Sequence, residues 1–492
     1  MDNDHLEIAL HQSPREERVT SRGASNGWHP ASDNQNRLAA SSPHLSTGIS
    51  PSSTAYSTFD EFANDPRFLE SQQEFRSLLF TSAQSAAPTR RGSPVHGAFL
   101  DDQTGDALSS IVWSGNRIIW LQNYLDEVAP WLDMFDQQQI FGQTVPVLAR
   151  SSVPLTYAIL AISARQMERA KKLRGEHDSL QLYQEAIRSL TPHLLACDPN
   201  IMATCVILCC LEMMSAAPKN WRKHLDGCAT LFESYNIHGF SGGVPQAVFW
   251  CYARMDLCAA IISDGDHSTV LPLQHWIPSN VSSAEVYELF RSEETPDMWA
   301  NYAVYLTAKV CHFIWCKTKS MDEASLHLEQ SSFQNEWHDL WTEVQAWRRN
   351  RPAELLELDF PEECGESASS PFPSILFAAS CAISSNQLHH TTCLLMLDIK
   401  PPSIELSNAD STSSSLWHAR RICGISATNE HHGCLNNAIQ PLWVAGRLLS
   451  HPSEHRAVVN LIKRIESITG WGATWRATDL MGIWGYTPND FV

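Results

Sequence analysis

From about Phe99 onward, apolar residues recur about every three to four positions, and no run of any length alternates with the period that a half-buried strand requires. A chain patterned this way buries its apolar side chains by packing helix on helix. Ile118, Ile119, Leu121, Tyr124, Leu125 and Val128 form the first stripe, which Pro130 should end. The pattern predicts further helices over 155–167, 180–195, 201–214, 221–235, 244–262, 299–316, 333–347, 375–397, 437–449, 454–468 and 475–483. Pro218 marks the start of the 221–235 helix. No strict repeat recurs at about 34 or 40 residues. The expected fold is all-α, a large helical bundle or solenoid-like domain over 99–492. Segments 362–373 and 401–415, rich in Ser with Pro, Gly or Asn, read as surface loops within that domain.

Residues 1–98 differ. Ser, Pro, Asn, Gln and Thr dominate, with no cysteine and no lysine. Such a composition buries too little apolar surface to offset ordering entropy, so disorder is expected. One island, 59–80, mixes acids with Phe59, Phe62, Phe68, Phe75 and Phe80. Acidic-hydrophobic alternation admits two readings: an activation segment that docks on a coactivator as a transient helix, or a short helix packed on the protein's own domain.

Composition narrows the function classes. Hydrophobic residues make up 43% and tryptophans number 17, which suits a large core. The net charge of -19 supplies no basic footprint to displace phosphate counterions, which disfavours direct nucleic-acid binding by the main body. Arg165, Arg169, Lys171, Lys172 and Arg174 form the longest basic cluster and read as a solvated face. The chain does not open on a basic start followed by an apolar run, so an intracellular, reducing setting is expected, with the 14 cysteines mostly acting as small buried hydrophobes. The apolar run 201–217 is short for a membrane span and contains Glu212, so it reads as a core helix.

Chemistry-bearing constellations are sparse. A binuclear zinc cluster needs cysteines in CxxC-type halves, and the sequence has no CxxC; its first cysteine is Cys197. His418, Cys423, His431, His432 and Cys434 match no zinc-module spacing and read as a His-rich loop, while His389 and His390 should serve packing or a hydrogen bond. Gly239-Phe240-Ser241-Gly242-Gly243 fits G-x-S-x-G, but the elbow requires a strand before the serine; a flexible turn between helices is the expectation. Glu293-Glu294 and Glu362-Glu363 lie in polar segments and read as solvated. No catalytic, cofactor-binding or metal residue is assigned, and no enzyme activity is expected.

Three blocks carry a family resemblance. The first is Asn123-Tyr124-Leu125-Asp126-Glu127-Val128-Ala129-Pro130 with Phe135-Asp136, followed by 155–164. The second is Trp221-Arg222-Lys223-His224-Leu225-Asp226-Gly227, then 249–257. The third is Gln440-Pro441-Leu442-Trp443-Val444-Ala445-Gly446-Arg447, with Ile465-Glu466 and Thr469-Gly470-Trp471-Gly472 behind it. Together, over roughly 101–484, they resemble the fungal-specific transcription factor domain, the regulatory domain of zinc-cluster regulators, here without the N-terminal zinc cluster. The resemblance implies a nuclear transcriptional regulator of a metabolic or secondary-metabolite gene set. It implies partners among other transcription factors or coactivators, and a small-molecule effector, with direct DNA contact left open. Two rivals remain: a cytosolic helical sensor or interaction protein, which the lack of a clear basic import run keeps open, and a serine hydrolase centred on Ser241.

The same blocks have a physical reading. Trp221, His224 and Gly227 share one helix side, where Gly227 would admit a neighbouring helix and His224 would meet a buried carbonyl. Arg254 and Asp256, two apart, need separate partners. Gly470-Trp471 reads as a helix stop followed by an anchoring aromatic.

Overall fold

The computed structural model describes residues 64–86, 106–113, 117–171, 178–193, 198–215, 218–319, 326–358, 370–407 and 411–487. Among them the protein is all-α, with a lone β-bridge between Leu358 and Leu376. Helix α1 (Pro66–Ala86) precedes α2 (Ala107–Trp113) and α3 (Ile118–Asn123). Pro130 does not end the first stripe as expected. A π turn (Tyr124–Val128) widens the hydrogen-bond ladder just where Pro130 has no N–H to give, and α4 (Ala129–Leu132) continues from it. A second π turn (Ile140–Thr144) leads into α5 (Val145–Leu148).

The body follows as α6 (Val153–Lys171), α7 (Asp178–Leu190), α8 (Pro199–Ser215), α9 (Pro218–Ser234) and α10 (Gly243–Ile262). Then come α11 (Val286–Ser292), α12 (Pro296–Lys319), α13 (Leu326–Asn350) and α14 (Ser380–Asp398). The last are α15 (Ser415–Thr428), α16 (His432–Gly446), α17 (Pro452–Thr469) and α18 (Thr474–Ile483). Three helices are sheathed on all sides: every residue is buried from Ile201 to Glu212 in α8, from Ala247 to Leu257 in α10, and from Cys381 to Leu394 in α14. Helices α6 and α9 flank α8, while α12, α15 and α16 pack on α14. The apolar run that was short for a membrane is thus the centre of the bundle, and no described helix is long and apolar enough to cross one.

Helix α14 is polar for a core element, and most of its polar side chains have partners, the buried Oε1 of Gln387 being an exception. Asn386 Nδ2 donates to the Leu355 carbonyl at 2.8 Å, Gln387 Nε2 to the Ile422 carbonyl at 3.1 Å, and Thr392 Oγ1 meets Thr307 Oγ1 at 2.8 Å. A buried polar group with its partner in place specifies one register, because any slip leaves it orphaned.

Helix α1 realises the second of the two readings of the 59–80 island, a helix packed on the body; Phe59 and Phe62 lie outside the described residues. Phe68, Phe75 and Leu79 are fully buried, whereas Glu70 and Glu74 face solvent. The acidic-aromatic alternation is therefore the two-sided pattern of an amphipathic helix lying on the body. Phe68 packs 5.4 Å from Tyr183 and Phe75 5.4 Å from His224, between ring centroids. Gly227 admits α1 as its lack of a side chain suggested: a Cβ there would stand 2.5 Å from Leu79 Cβ.

One buried carboxyl ties this junction together. Glu212 accepts hydrogen bonds from the Tyr183 hydroxyl and, at 3.1 Å, from Gln72 Nε2 of α1. His224 meets not a carbonyl but Glu212, with Nδ1 3.2 Å from Oε2. The distance is that of an ion pair, but burial opposes both charges, pushing Glu212 up to about 8 and His224 down to about 3. At neutral pH both groups are held mainly neutral.

Other local expectations change. Arg165 is buried rather than solvated; its Nε donates to Ser215 Oγ at 3.0 Å, and Arg169 donates to the Gly470 carbonyl. The expected His-rich loop is two helix segments: His418 and Cys423 lie on α15, His431 caps α16, and Cys434 lies within α16. The predicted 375–397 helix begins only at Ser380, because residues before it run extended and spend the Ile375 and Phe377 N–H groups on Thr428 Oγ1 and Asn429 Oδ1.

Candidate functional site

A pocket of about 100 Å³, partly open to solvent and with mostly apolar walls, lies between α4, α8, α10 and α16. Helix α10 supplies Cys251, Arg254, Cys258 and Ile261; α16 supplies Asn436, Asn437, Gln440 and Pro441. Trp131 of α4, Cys210 and Met213 of α8, Leu388 of α14 and Trp471 beyond α17 complete the wall. Residues of the second and third sequence blocks that carry the family resemblance, Cys251, Arg254, Gln440, Pro441 and Trp471 among them, thus meet around one space, beside Trp131, Leu132 and Met134, which follow the first block.

Each wall is held for a local reason. Gly470 ends α17 in the left-handed region at φ 75°, and the turn seats Trp471 edge-on to Trp131, with centroids 6.2 Å apart. Pro441 sits inside α16, so the Asn437 carbonyl one turn earlier lacks its usual helical donor. Gln440 is already engaged, its Oε1 accepting from Arg476 Nε at 2.8 Å.

Arg254 and Asp256 have separate partners, as their spacing required. Asp256, fully buried, accepts the Val270 and Leu271 N–H groups at 2.7 and 2.9 Å and so pins the loop after α10. Burial pushes its pKa up to about 6 against those hydrogen bonds. Arg254 is also buried. Its Nη2 donates to the Leu132 carbonyl at 2.6 Å and its guanidinium lies 5.3 Å from the Phe135 ring centre. Among the described residues no carboxylate forms an ion pair with it. Asp133, the carboxyl that feels its charge, spends its oxygens on the Phe141 and Gly142 N–H groups, both at 2.7 Å, and burial pushes it up to about 7.

Four buried polar atoms around the cavity have no hydrogen-bond partner: Trp131 Nε1, Asn436 Nδ2, Asn436 Oδ1 and Asn437 Nδ2. Buried polar groups are ordinarily matched, and here four orphans, from α4 and α16, gather around one pocket, with both polar atoms of Asn436 among them. Sequence reading missed these asparagines. Their signal is two adjacent amides in an otherwise apolar helix stripe, four residues before a mid-helix proline.

The other singled-out residues serve structure. Ser241 sits in a turn after helix α9, not after a strand, and its Oγ accepts the His238 N–H at 2.9 Å. His389 stacks on Trp347, with centroids 5.2 Å apart. Arg421 Nε donates to His390 Nε2 at 3.1 Å, which places the His390 proton on Nδ1. That proton points to His418 Nδ1 at 2.8 Å, and His418 Nε2 donates to the Thr412 carbonyl at 2.9 Å. His432 pairs with Glu127 at 2.6 Å, on another face. The His/Cys concentration is thereby dispersed, and the described residues hold no group of three or more His, Cys, Asp or Glu placed to bind a metal ion.

Residues 120–484 match the model of a family described as the fungal specific transcription factor domain. The chain is also similar to "Transcription activator AMTR1" of Alternaria alternata, at 24% identity over 74% of this chain. That match spans 62% of the relative's own length. No solved structure matches the chain.

Proposed function

Since the chain belongs to the fungal specific transcription factor domain family, we propose that it is a nuclear transcriptional regulator controlling a metabolic or secondary-metabolite gene set. The observation that carries this reading is the family match itself, which runs from α3 to the end of α18 and takes in every wall of the cavity. The similarity to a protein named as an activator supports activation rather than repression. With no CxxC pair in the sequence and a net charge of -19, the chain reaches promoters by docking on a DNA-bound transcription factor or coactivator. The buried aromatics of α1 make that segment part of the body, so recruitment falls to other surfaces while α1 is docked.

Cell fractionation of the tagged protein tests where it acts. Recovery in the nuclear fraction is expected under conditions in which its genes are expressed. Recovery in the cytosol alone would favour the rival reading, a helical sensor without a promoter role.

A further inference from the structure

We propose that this pocket is an effector site for a small aliphatic carboxylate, best filled by a short 2-hydroxy acid. The assignment rests on the regulatory reading above for its biological meaning, but on the cavity alone for its chemistry.

Size and wall character set the body of the ligand. An enclosed apolar cavity of about 150 Å³ takes a benzene molecule, and this pocket, being partly open, can bury a smaller group while a polar head stays at its mouth. A space of about 100 Å³ walled by Cys210, Met213, Cys258, Ile261, Leu388 and Trp471 suits a slightly smaller, compact hydrocarbon group.

Charge and hydrogen bonding set its head. Arg254 brings a guanidinium to the wall, and among the described residues no carboxylate pairs with it. Three of the four orphaned atoms are donors: Trp131 Nε1, Asn436 Nδ2 and Asn437 Nδ2. A carboxylate accepts only, and it offers about four lone-pair directions, which suits a pocket whose lining holds a cation and three unmet donors. The fourth orphan, Asn436 Oδ1, needs a donor, which a hydroxyl beside the carboxylate supplies. A neutral hydrocarbon would leave all four atoms unmatched, and a cation would face Arg254.

The test uses the full chain, purified, in calorimetric titrations with isovalerate, 2-hydroxyisovalerate and the neutral isovaleramide. Saturable binding of the carboxylates is expected, tightest for the hydroxy acid, with the amide at least about tenfold weaker. Arg254→Gln should weaken carboxylate binding at least about tenfold and leave the amide nearly unchanged. If that variant melts early, Asn436→Asp serves instead: it keeps the side-chain size but places a like charge against the carboxylate, so carboxylate binding should be lost. Cys258→Trp, which fills the space, should abolish binding of all three. Equal affinity for acid and amide, or indifference to Arg254→Gln and Asn436→Asp, would overturn the carboxylate assignment. No binding at millimolar concentration, or binding unchanged by Cys258→Trp, would overturn the site. The regulatory reading fails separately: a chain that binds the acid but never occupies promoters contradicts that reading and leaves the site standing.

Discussion

Phe75→Ala should destabilise the protein by about 3–5 kcal/mol, the usual range for removing a fully buried phenylalanine. Phe75 has no exposed surface and rests on His224 of α9, so the substitution opens a hole between α1 and the body rather than trimming a tail. The neighbouring contacts cannot easily close over it. Leu79 lies hard against Gly227, and Gln72 is fixed by its bond to Glu212. Leu69, on the solvent side of the same helix, is the control, and Leu69→Ala should change stability by no more than about 0.5 kcal/mol. Urea unfolding of the full chain, followed by circular dichroism, reads both values. A Phe75→Ala midpoint equal to wild type would mean that α1 is not docked in solution and would restore the free activation segment.

Glu212 should give the protein an alkaline weakness. Its folded pKa of about 8 is raised above the ordinary carboxyl value of 4.5 by burial, so the folded state holds a proton that the unfolded state releases. The sign follows: stability from this group is fully present below the unfolded pKa and is lost as pH rises through about 8. Each unit of pH between those values costs about 1.4 kcal/mol. Glu212→Gln keeps the shape and cannot ionise, so its stability relative to wild type should rise by on the order of 2 kcal/mol between about pH 6 and about pH 8. His224 has the opposite sign. Its folded pKa of about 3 lies below the ordinary 6.5, so its contribution is present above the unfolded value and lost as pH falls through the folded one. Parallel pH–stability curves for wild type and Glu212→Gln would contradict the buried, protonated carboxyl at the α1 junction.

Much of the architecture was legible because helical periodicity survives burial. The expected spans for α6, α8, α10, α12 and α13 all lie inside observed helices, and that for α9 overruns its helix by one residue. The misses have identifiable physical causes. α15 went unread because its histidines, arginines and Gly424 break the apolar stripe; yet Gly424 is needed there, since a Cβ would stand 2.3 Å from the Pro373 carbonyl oxygen. For α1 the sequence left two readings open, a free activation segment or a helix packed on the body, and the burial of Phe68, Phe75 and Leu79 on one face selects the second. Arg165 was read from charge alone, and charge does not reveal a buried serine partner on another helix. The cavity was the least legible feature. Its residues come from segments as distant as Trp131 and Trp471, and only the fold brings the orphaned amides of α16 into one pocket with Arg254.

The regulatory reading stands or falls on chromatin occupancy of the tagged, full-length protein in its own cells. Discrete promoter peaks are expected, clustered over genes of one metabolic or secondary-metabolite set. The sequence motif beneath them should belong to the DNA-bound partner that supplies contact. A flat profile, with the protein well expressed and its conditions of use met, would contradict the regulatory account and leave a helical sensor as the better description.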